Sequence, residues 1–189
     1  MRSTLLRALA LAGACALAAP SLAEEKAMAP PKPAKELSQL SWFVGNWTCK
    51  GKTFATPMGP EHATEGKVNI GHVLDGFFYA FHYDETKTAA NPMPYHAAGF
   101  WGWDAVEKVF FENCYDAFGG NCRQTSKGWA GDVLSFEGPG TMGEMKTGMR
   151  DVFTKKSATE VVHRGEMQGP DGKWMATDEE TCTKAGAKK

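Results

Sequence analysis

Apolar and polar residues alternate with a period of two along most of the chain from Trp47 to Lys184. Such alternation is typical of β-strands that bury one face. Turn signals rich in glycine, proline, asparagine and aspartate separate the runs and divide them into about ten strands. The only helix candidate, residues 34–42, is short and precedes the first strand. The pattern therefore predicts an all-β domain.

The strands have no helical segment between them that is long enough to join parallel neighbours, so each connection is interpreted as a hairpin. Antiparallel strands joined by hairpins form a meander, and closing the meander into a barrel removes its exposed edges. We therefore predict a closed antiparallel β-barrel over residues 36–184. A sandwich of two sheets is the alternative.

Asp75-Gly76 is the strongest turn signal and fits a two-residue hairpin loop that pairs Leu74 with Phe77. In this register the two strands have one largely apolar face and one polar face. His82 lies on the polar, outward face. The apolar face is predicted to line the interior, and it comprises Val68, Ile70, His72, Leu74, Phe77, Tyr79, Phe81 and Tyr83.

The turn at residues 104–108 predicts a second hairpin. We place Trp103 opposite Val109, a register that gives two further pairs, Trp101 with Phe111 and Gly99 with Asn113. This aromatic face is predicted to be internal. Glu112 and Cys114 then lie on the outer face, where Cys122 meets Cys114 across the next hairpin.

The closing strands carry a group of charged residues. A turn centred on Lys156-Ser157 pairs Arg150 with His163 on an inward face. The next turn, residues 169–172, permits two registers, which set either Glu179 or Asp178 opposite His163. One interpretation is a structural ion pair at the seam of the barrel. The other is a site in which Arg150 receives a ligand anion, oriented by His163 and Glu179.

Residues 1–23 have the features of a secretory leader. Arg2 and Arg7 precede an apolar run, and the small residues of Ser21-Leu22-Ala23 suit a signal peptidase. A lipoprotein anchored through Cys15 is the alternative. Residues 24–35 are charged and proline-rich, as in a solvated tether, and residues 185–189 form a short tail. We therefore expect a periplasmic or secreted protein.

Four cysteines remain after the leader, namely Cys49, Cys114, Cys122 and Cys182. An even number in an exported protein favours two disulfides. No pair of them has the spacing of a zinc site, so we expect no bound metal.

The charge balance argues against a nucleic-acid partner. The whole chain has a net charge of −1, and removal of Arg2 and Arg7 with the leader makes it −3. Nucleic-acid binding needs a basic surface instead. No segment after the leader is apolar enough over a sufficient length to span a membrane. The oligomeric state is not encoded in any pattern that we recognise.

No motif of a nucleophilic, metal-dependent or nucleotide-binding enzyme is present. The aromatic side chains that are predicted to point inward have two interpretations. They either fill a small barrel as plain core or line an apolar ligand pocket. We prefer the pocket. Its candidate ligand-binding residues are His72, Tyr79, Phe81, Trp101, Trp103, Phe111, Asn113, Arg150, His163 and Glu179, although His72 also fits as a satisfied interior histidine.

The order of motifs along residues 37–184 resembles the DUF1579 family of bacterial lipocalin-like proteins. The matching segments are LSWFVGNW, VLDGFFYAF, AAGFWGWDAVEKVFF, MRDVF and GPDGKW followed by DEETCTK. The short helix and the Gly45-Asn46-Trp47 sequence are similar to the start of calycin barrels. The resemblance implies a β-barrel with an internal cavity, and it implies no particular activity.

The barrel that this resemblance implies brings its first and last strands together. Cys49 and Cys182 then come within reach of a disulfide that closes the seam. Trp47 is similar to the calycin tryptophan that packs in the floor of the barrel, so we interpret it as structural.

Related haem-binding nitrobindin-like barrels share the longer pattern Gly-x-Trp-x-Gly-x-Gly. This chain has Cys49 and Lys50 after Thr48, which departs from that pattern. His163 in a late strand is the remaining candidate haem ligand.

These observations predict an exported lipocalin-like barrel that binds a small apolar or amphipathic molecule, without a cofactor. The alternatives are an enzyme that uses an interior cluster of histidine, carboxylate and arginine, a haem-binding barrel, and a structural envelope protein.

Overall fold

The structure, a computed structural model, describes residues 29–56 and 59–186. The predicted leader with its Cys15 alternative lies outside these residues, as do residues 24–28 of the predicted tether. A 3₁₀ helix, Lys35–Phe43, precedes the strands. The ten strands are β1 Gly45–Thr53, β2 His62–Val73, β3 Phe78–Glu85, β4 His96–Asp104, β5 Val109–Asp116, β6 Asn121–Ser126, β7 Val133–Met142, β8 Met145–Ser157, β9 Glu160–Gln168 and β10 Trp174–Lys184.

The strands form one closed antiparallel barrel in which each strand pairs with its neighbours in sequence and β1 also pairs with β10. The predicted barrel is therefore confirmed, and the sandwich alternative is wrong. Cys49 and Cys182 are register partners at the β1–β10 seam and are joined as a disulfide. Closure pairs the first and last strands, so neither is left as an exposed edge.

The β2–β3 hairpin has the register expected from Asp75-Gly76. His72 pairs with Tyr79 and Val73 with Phe78, and Asp75 and Gly76 both have positive φ, as a type I′ turn requires. Leu74 also has a positive φ, of 50°, and its side chain is exposed. Its predicted place inside the barrel is wrong, because the chain leaves the barrel at this turn.

The β4–β5 register differs by one residue from the predicted one. Asp104 pairs with Val109 and Trp101 with Glu112, so the loop has four residues, 105–108. Oδ1 of Asp104 accepts hydrogen bonds from the backbone N–H groups of Val106 and Glu107, at 2.8 and 2.9 Å, which fixes where the turn begins. Because one residue of shift exchanges the two faces, Glu112 points inward and Phe111 outward.

The β8–β9 hairpin also turns later than predicted. Ser157 pairs with Glu160, and a β-bulge between Lys155 and Ser157 shifts the register behind it. Phe153 consequently lies opposite His163, whereas Arg150 lies opposite Glu166 on the outer face. The bulge thus keeps His163 inside and turns Arg150 outside, contrary to the predicted pairing.

A second bulge, between Ala176 and Asp178, sets the register of β10 against β9. Glu180 lies opposite His163, and Asp178 lies opposite Gly165. Glu179 lies opposite Arg164 on the outer face, so neither predicted register is the observed one.

The 3₁₀ helix covers one end of the barrel, here called the helix end. Leu40 and Phe43 of the helix are buried in the same core as Tyr79 and Trp101. The Tyr79 hydroxyl donates to the backbone oxygen of Leu37 at 3.0 Å. The opposite end, where β1 ends at Thr53 and β3 at Glu85, is here called the loop end. No helix among the described residues is long and apolar enough to cross a bilayer.

Candidate functional site

The inward aromatic residues form a packed layer toward the helix end. Trp101 is 2% exposed, and its ring centroid lies 5.0 Å from that of Phe43 and 5.3 Å from that of Phe81. Phe136 and Phe153 pack against Trp101 from the opposite wall. Tyr79 and Phe81 are buried as well, and Trp103 packs on Phe110 at 4.9 Å. This half of the barrel is therefore filled by side chains. These aromatic residues act as plain core here and do not line a pocket.

Three candidate residues do not reach the interior. His72 occupies an inward-pointing position of β2, but its side chain is exposed at the helix end. Its ring lies 4.4 Å from that of Tyr79. Phe111 lies on the outer face against Phe78, at 6.1 Å. Asn113 lies on the same outer face, because it is next to Glu112 in the strand and Glu112 points inward. The shifted β4–β5 register explains the last two errors.

The predicted interior anion receptor is an external ion-pair network. Nε of Arg150 donates to Glu166 at 2.7 Å, and its guanidinium group lies 4.3 Å from the Trp174 ring. Nη1 of Arg164 donates to Glu179 at 2.8 Å. Arg150 and Glu179 therefore stabilise the outer surface and do not face an interior ligand.

His163 does lie inside, between two aspartates. Nε2 of His163 is 2.9 Å from Oδ1 of Asp151, and Nδ1 is 3.4 Å from Oδ1 of Asp178. Burial lowers the pKa of the imidazole, but the hydrogen bonds and charges of the two aspartates outweigh burial and raise this pKa well above its ordinary value. His163 is therefore an imidazolium at neutral pH.

The two aspartates have further partners that fix their positions. Oδ2 of Asp151 accepts a hydrogen bond from Nε2 of Gln124 at 2.8 Å. Asp178 accepts one from the Thr177 hydroxyl at 2.8 Å. Although burial acts to raise the pKa of Asp178, its contacts with His163 lower it overall, so Asp178 is ionised. A Cβ at Gly165 would collide with the Asp178 carboxylate, so the glycine makes room for it.

Three polar side chains next to this group have buried atoms that make no hydrogen bond of good geometry. Trp101, Glu112 and Gln124 occupy the same inward row on β4, β5 and β6, since Trp101 pairs with Glu112 and Glu112 with Gln124. Each is at most 5% exposed. Oε1 of Gln124 is buried and has no hydrogen-bond partner in the structure. Nε1 of Trp101 and Oε2 of Glu112 make no hydrogen bond of good geometry, although the indole interacts with the Glu112 carboxyl group.

Glu112 carries the most perturbed carboxyl group of the row. Burial raises its pKa well above the ordinary value, and the negative charge of Asp151 raises it further. The Trp101 indole and the charge of His163 oppose this shift only in part. Glu112 is therefore protonated over part of the range in which other carboxyl groups are ionised, and it can donate a hydrogen bond.

Glu180 completes the interior group from the seam side. Its Oε1 accepts hydrogen bonds from the Thr64 hydroxyl at 2.6 Å and the Tyr83 hydroxyl at 2.8 Å. Burial raises the pKa of Glu180 overall, although these hydrogen bonds lower it. We call Glu112, Gln124, Asp151, His163, Asp178 and Glu180 the interior polar cluster.

Part of the interior polar cluster is not covered by other protein atoms. The side chains of His163, Asp151 and Asp178 keep 23%, 25% and 32% of their surface exposed, although their strands point them inward. The β3–β4 loop at the loop end is tied down by Glu85, whose Oε2 accepts from Asn91 Nδ2 at 2.8 Å and from the Tyr95 backbone at 2.7 Å. Tyr95 then lies between Tyr83 and Phe118, with ring centroids 6.1 and 6.2 Å apart.

Sequence reasoning identified His163 and missed most of its surroundings. Glu112 was predicted to lie outside, and Gln124 and Asp151 were not predicted at all. Asp178 appeared only as one of two alternative register partners. A polar residue at an inward position of an alternating strand is the signal for Gln124, but this signal depends on knowing the bulges and loop lengths.

His163, the candidate haem ligand, already has two side-chain partners. Both ring nitrogens of His163 face carboxylates, which leaves neither for a haem iron in this arrangement. Ligand atoms of Cys49, Glu180 and Cys182 lie within 4.8 Å of one another. Their two sulfurs form a disulfide, so they do not act as metal-binding thiolates.

Trp47 and the second disulfide have structural surroundings. Trp47 is buried, and its Nε1 donates to the backbone oxygen of Phe43 at 2.7 Å beneath the helix. Nζ of Lys184 lies 5.3 Å from the Trp47 ring. Cys114 and Cys122 are register partners and form a disulfide, although on the inner face rather than the predicted outer one.

Comparison with known proteins gives a family and a fold. Residues 32–184 match the family DUF1579, described as a protein of unknown function. The crystal structure of Rv2717c from M. tuberculosis is similar, with a TM-score of 0.63 and 15% sequence identity over 81% of this chain and 99% of that one. At this identity the likeness shows the fold alone. No curated protein matches the sequence.

Proposed function

The chain belongs to the DUF1579 family, whose description assigns no activity, and we propose from the geometry that it binds a small amphipathic molecule inside its barrel. The polar part of this molecule contacts the interior polar cluster. Its apolar part lies against the aromatic side chains at the loop end and the exposed edge of the packed layer.

The observation that carries this proposal is the row of buried polar atoms on Trp101, Glu112 and Gln124 that make no hydrogen bond of good geometry. Buried polar atoms nearly always have a partner, because an unmade hydrogen bond in the interior costs about 1–3 kcal/mol. Three such atoms on adjacent strands, all facing inward, form one donor and acceptor surface. A bound molecule that offers complementary groups satisfies all three together.

The uncovered surface of the neighbouring charged residues supports the same proposal. The side chains of His163, Asp151 and Asp178 keep part of their surface uncovered, so there is space beside them for the polar part of a small molecule. The ring of Phe153 lies 4.9 Å from that of His163, which places an apolar surface directly beside the charged group. Apolar walls with a few convergent polar groups are typical of small-molecule sites.

We also propose that the protein acts outside the cytoplasm. Two disulfides in a barrel of this size persist in an oxidising compartment. The predicted leader at residues 1–23 gives the route of export. N-terminal sequencing of protein recovered from the envelope and culture medium tests this; a chain that begins at Glu24 supports export, and one that retains Met1 contradicts it.

Binding can be tested with the uncharged amphipathic fluorophore 1-aminoanthracene. We expect a saturable fluorescence increase with one site per chain. Gln124→Met removes the unpartnered Oε1, together with the hydrogen bond from Nε2 to Asp151, and should weaken binding about fivefold to tenfold, the effect of one lost hydrogen bond to the ligand. Gln168→Met makes the same change on the outer face of β9 and should leave binding intact.

The absence of a saturable increase would overturn the proposal, as would an equal loss of affinity in both glutamine variants. Thermal melting of each variant separates a binding effect from unfolding. A loss of affinity in Gln124→Met with an unchanged melting temperature supports the site.

A second candidate function is proton transfer on a molecule bound in the same place. It is favoured by two carboxyl groups with opposite pKa shifts, Glu112 raised and Asp178 lowered, which is a common arrangement of an acid and a base. Deuterium uptake from D₂O next to the carbonyl of 2-octanone, followed by NMR, tests it. Uptake that is lost in Glu112→Gln supports an enzyme; uptake no faster than in buffer contradicts one.

A further inference from the structure

The interior of the loop end has a surplus of acidic side chains. The interior polar cluster has four carboxyl groups, on Glu112, Asp151, Asp178 and Glu180, and one imidazole, on His163. At the loop end itself, buried Glu85 adds a further carboxyl group, whose Oε1 lies 3.6 Å from Nε2 of a second imidazole, that of His62. In the part of the chain that the structure describes, the lysines and arginines of the strands near this end lie on the outer face. These include Lys50, Lys52, Arg123, Arg150 and Arg164.

One imidazolium does not neutralise this group. His163 lies between Asp151 and Asp178, so at most one of the two aspartate charges is balanced even when Glu112 and Glu180 are protonated. An unbalanced carboxylate in a partly buried site costs free energy unless a cation accompanies it. The site therefore favours a ligand that brings a positive charge.

Aromatic side chains at the loop end suit the same kind of ligand. Tyr83, Tyr95 and Phe118 follow one another with ring centroids 6.1 and 6.2 Å apart. Tyr95 is 39% exposed and Phe118 52% exposed, so their faces are available to an entering molecule. Aromatic faces attract organic cations, most strongly where water is partly excluded.

The unpartnered atoms also favour a cationic ligand. Oε1 of Gln124 is buried and has no donor, and Oε2 of Glu112 on the neighbouring strand makes no hydrogen bond of good geometry. Gln124 contacts Asp151, and the charge of Asp151 acts on Glu112. Oxygen atoms without donors are acceptors for an ammonium N–H group or for the polarised C–H groups next to a quaternary nitrogen. The three arginines among the described residues, Arg123, Arg150 and Arg164, lie on the outer face, so none of them meets the carboxylate of a fatty acid inside the barrel.

From these observations we infer that the ligand is an organic cation, an amine or ammonium compound with an apolar tail. This inference rests on the proposed function and adds the charge of the ligand to it. The positive group lies between Asp178, Gln124 and Glu112, and the tail extends past Tyr83 and Tyr95 toward the loop end. The inner acids exclude anionic amphiphiles of the same length.

The test compares four molecules with one eight-carbon tail, namely octylamine, octyltrimethylammonium, octanol and octanoate. Their dissociation constants from the disulfide-bonded protein are measured by calorimetry at pH 7. We expect both cations to bind at least about tenfold more tightly than octanol, as for a hydrogen bond or contact to a charged group. Octanoate should bind most weakly.

Two adjacent residues provide matched variants. Asp178→Asn removes an interior charge and should reduce the preference for cations over octanol about tenfold. Glu179→Gln removes an exterior charge on the same strand and should leave the preference unchanged. If Asp178→Asn fails to fold, the inference is tested by the preference of the native protein for the two octyl cations over octanol and octanoate.

Octanol or octanoate binding as tightly as the cations would overturn the inference and leave the proposed function intact. Binding of 1-aminoanthracene without binding of any octyl cation would likewise overturn the inference and leave the proposed function intact. Failure of the fluorophore to bind would overturn the proposed function itself, and the inference with it.

Discussion

Asp178 and Glu179 are consecutive residues of β10 whose carboxylates lie on opposite sides of the barrel wall. Oδ1 of Asp178 is 3.4 Å from Nδ1 of His163 inside, and Oε2 of Glu179 is 2.8 Å from Nη1 of Arg164 outside. The two residues have the same charge and nearly the same position in the chain. Their surroundings alone distinguish an interior partner of His163 from a surface ion pair.

Asp178→Asn is expected to lower the pKa of His163, because one of the two carboxylates that stabilise the imidazolium is lost. His163 has a raised pKa in the folded state, so its stabilising contribution is fully present below the unfolded value of about 6.5 and is lost as pH rises through the folded pKa. Asp178 contributes only while it is ionised, and this contribution is lost as pH falls below the ordinary aspartate pKa of about 4. The variant should therefore lose stability mainly between about pH 4 and pH 6.5. NMR titration of the imidazole measures the pKa directly.

Glu179→Gln is the matched control for this titration. It removes an exposed ion pair, which is worth at most about 1 kcal/mol, and should leave the His163 pKa unchanged. A native His163 that titrates near 6.5, or one that shifts equally in both variants, would contradict the interior placement.

Glu112→Gln is expected to stabilise the protein at neutral pH. The folded-state pKa of Glu112 is raised, so folding opposes its ionisation, and the native chain loses stability as pH rises from the unfolded value toward the folded one. Glutamine does not ionise and avoids this loss. The free energies of unfolding of the variant and the native protein, measured with denaturant, should be most similar near pH 4, and the variant should become the more stable of the two toward pH 7. A stability difference that moves in favour of the native protein between pH 4 and pH 7 would contradict this expectation.

The two disulfides should differ in their effect on stability. Replacing Cys49 and Cys182 by serine opens a link between residues 133 positions apart, which the chain-entropy account values at about 5 kcal/mol. Replacing Cys114 and Cys122 opens a link across only 8 positions, worth about 2.5 kcal/mol in the same account. Guanidinium unfolding of the two double variants gives the comparison. Equal losses would show that chain entropy does not dominate.

Trp101→Ala is expected to cost about 3–5 kcal/mol of folding free energy, because it opens a cavity in the packed aromatic layer. Trp101 contacts Phe43, Phe81 and Phe153 and is almost fully buried. Leu74 is 68% exposed, so Leu74→Ala serves as a control and should change stability by less than about 0.5 kcal/mol. A loss in Trp101→Ala as small as that of the control would show that the layer is loosely packed.

The barrel itself was predictable because its signals are local or follow from closure. Asp75-Gly76 specifies a hairpin turn, and the structure has the register that this turn implies. Cys49 and Cys182 face each other because a closed meander brings its first and last strands together. Alternation along the strands predicted the meander, whereas the disulfide at the seam was predicted from the barrel that the family resemblance implies.

The interior site was less predictable because a single residue of register reverses a face. The Asp104 side chain starts its turn one position away from the expected place, and this moves Glu112 inside and Phe111 outside. The bulge at Lys156 has the same effect on Arg150. Period-two alternation does not reveal bulges, so it placed His163 inside and assigned it the wrong partners.

The central claim is that the interior polar cluster holds a small molecule, and native mass spectrometry of protein purified from its own source tests it most directly. We predict one adduct of small-molecule mass per chain, which is released on denaturation and is depleted in Gln124→Met but retained in Gln168→Met. A spectrum that shows only the bare chain for the native protein, or the same adduct in equal amount in both variants, would contradict the claim.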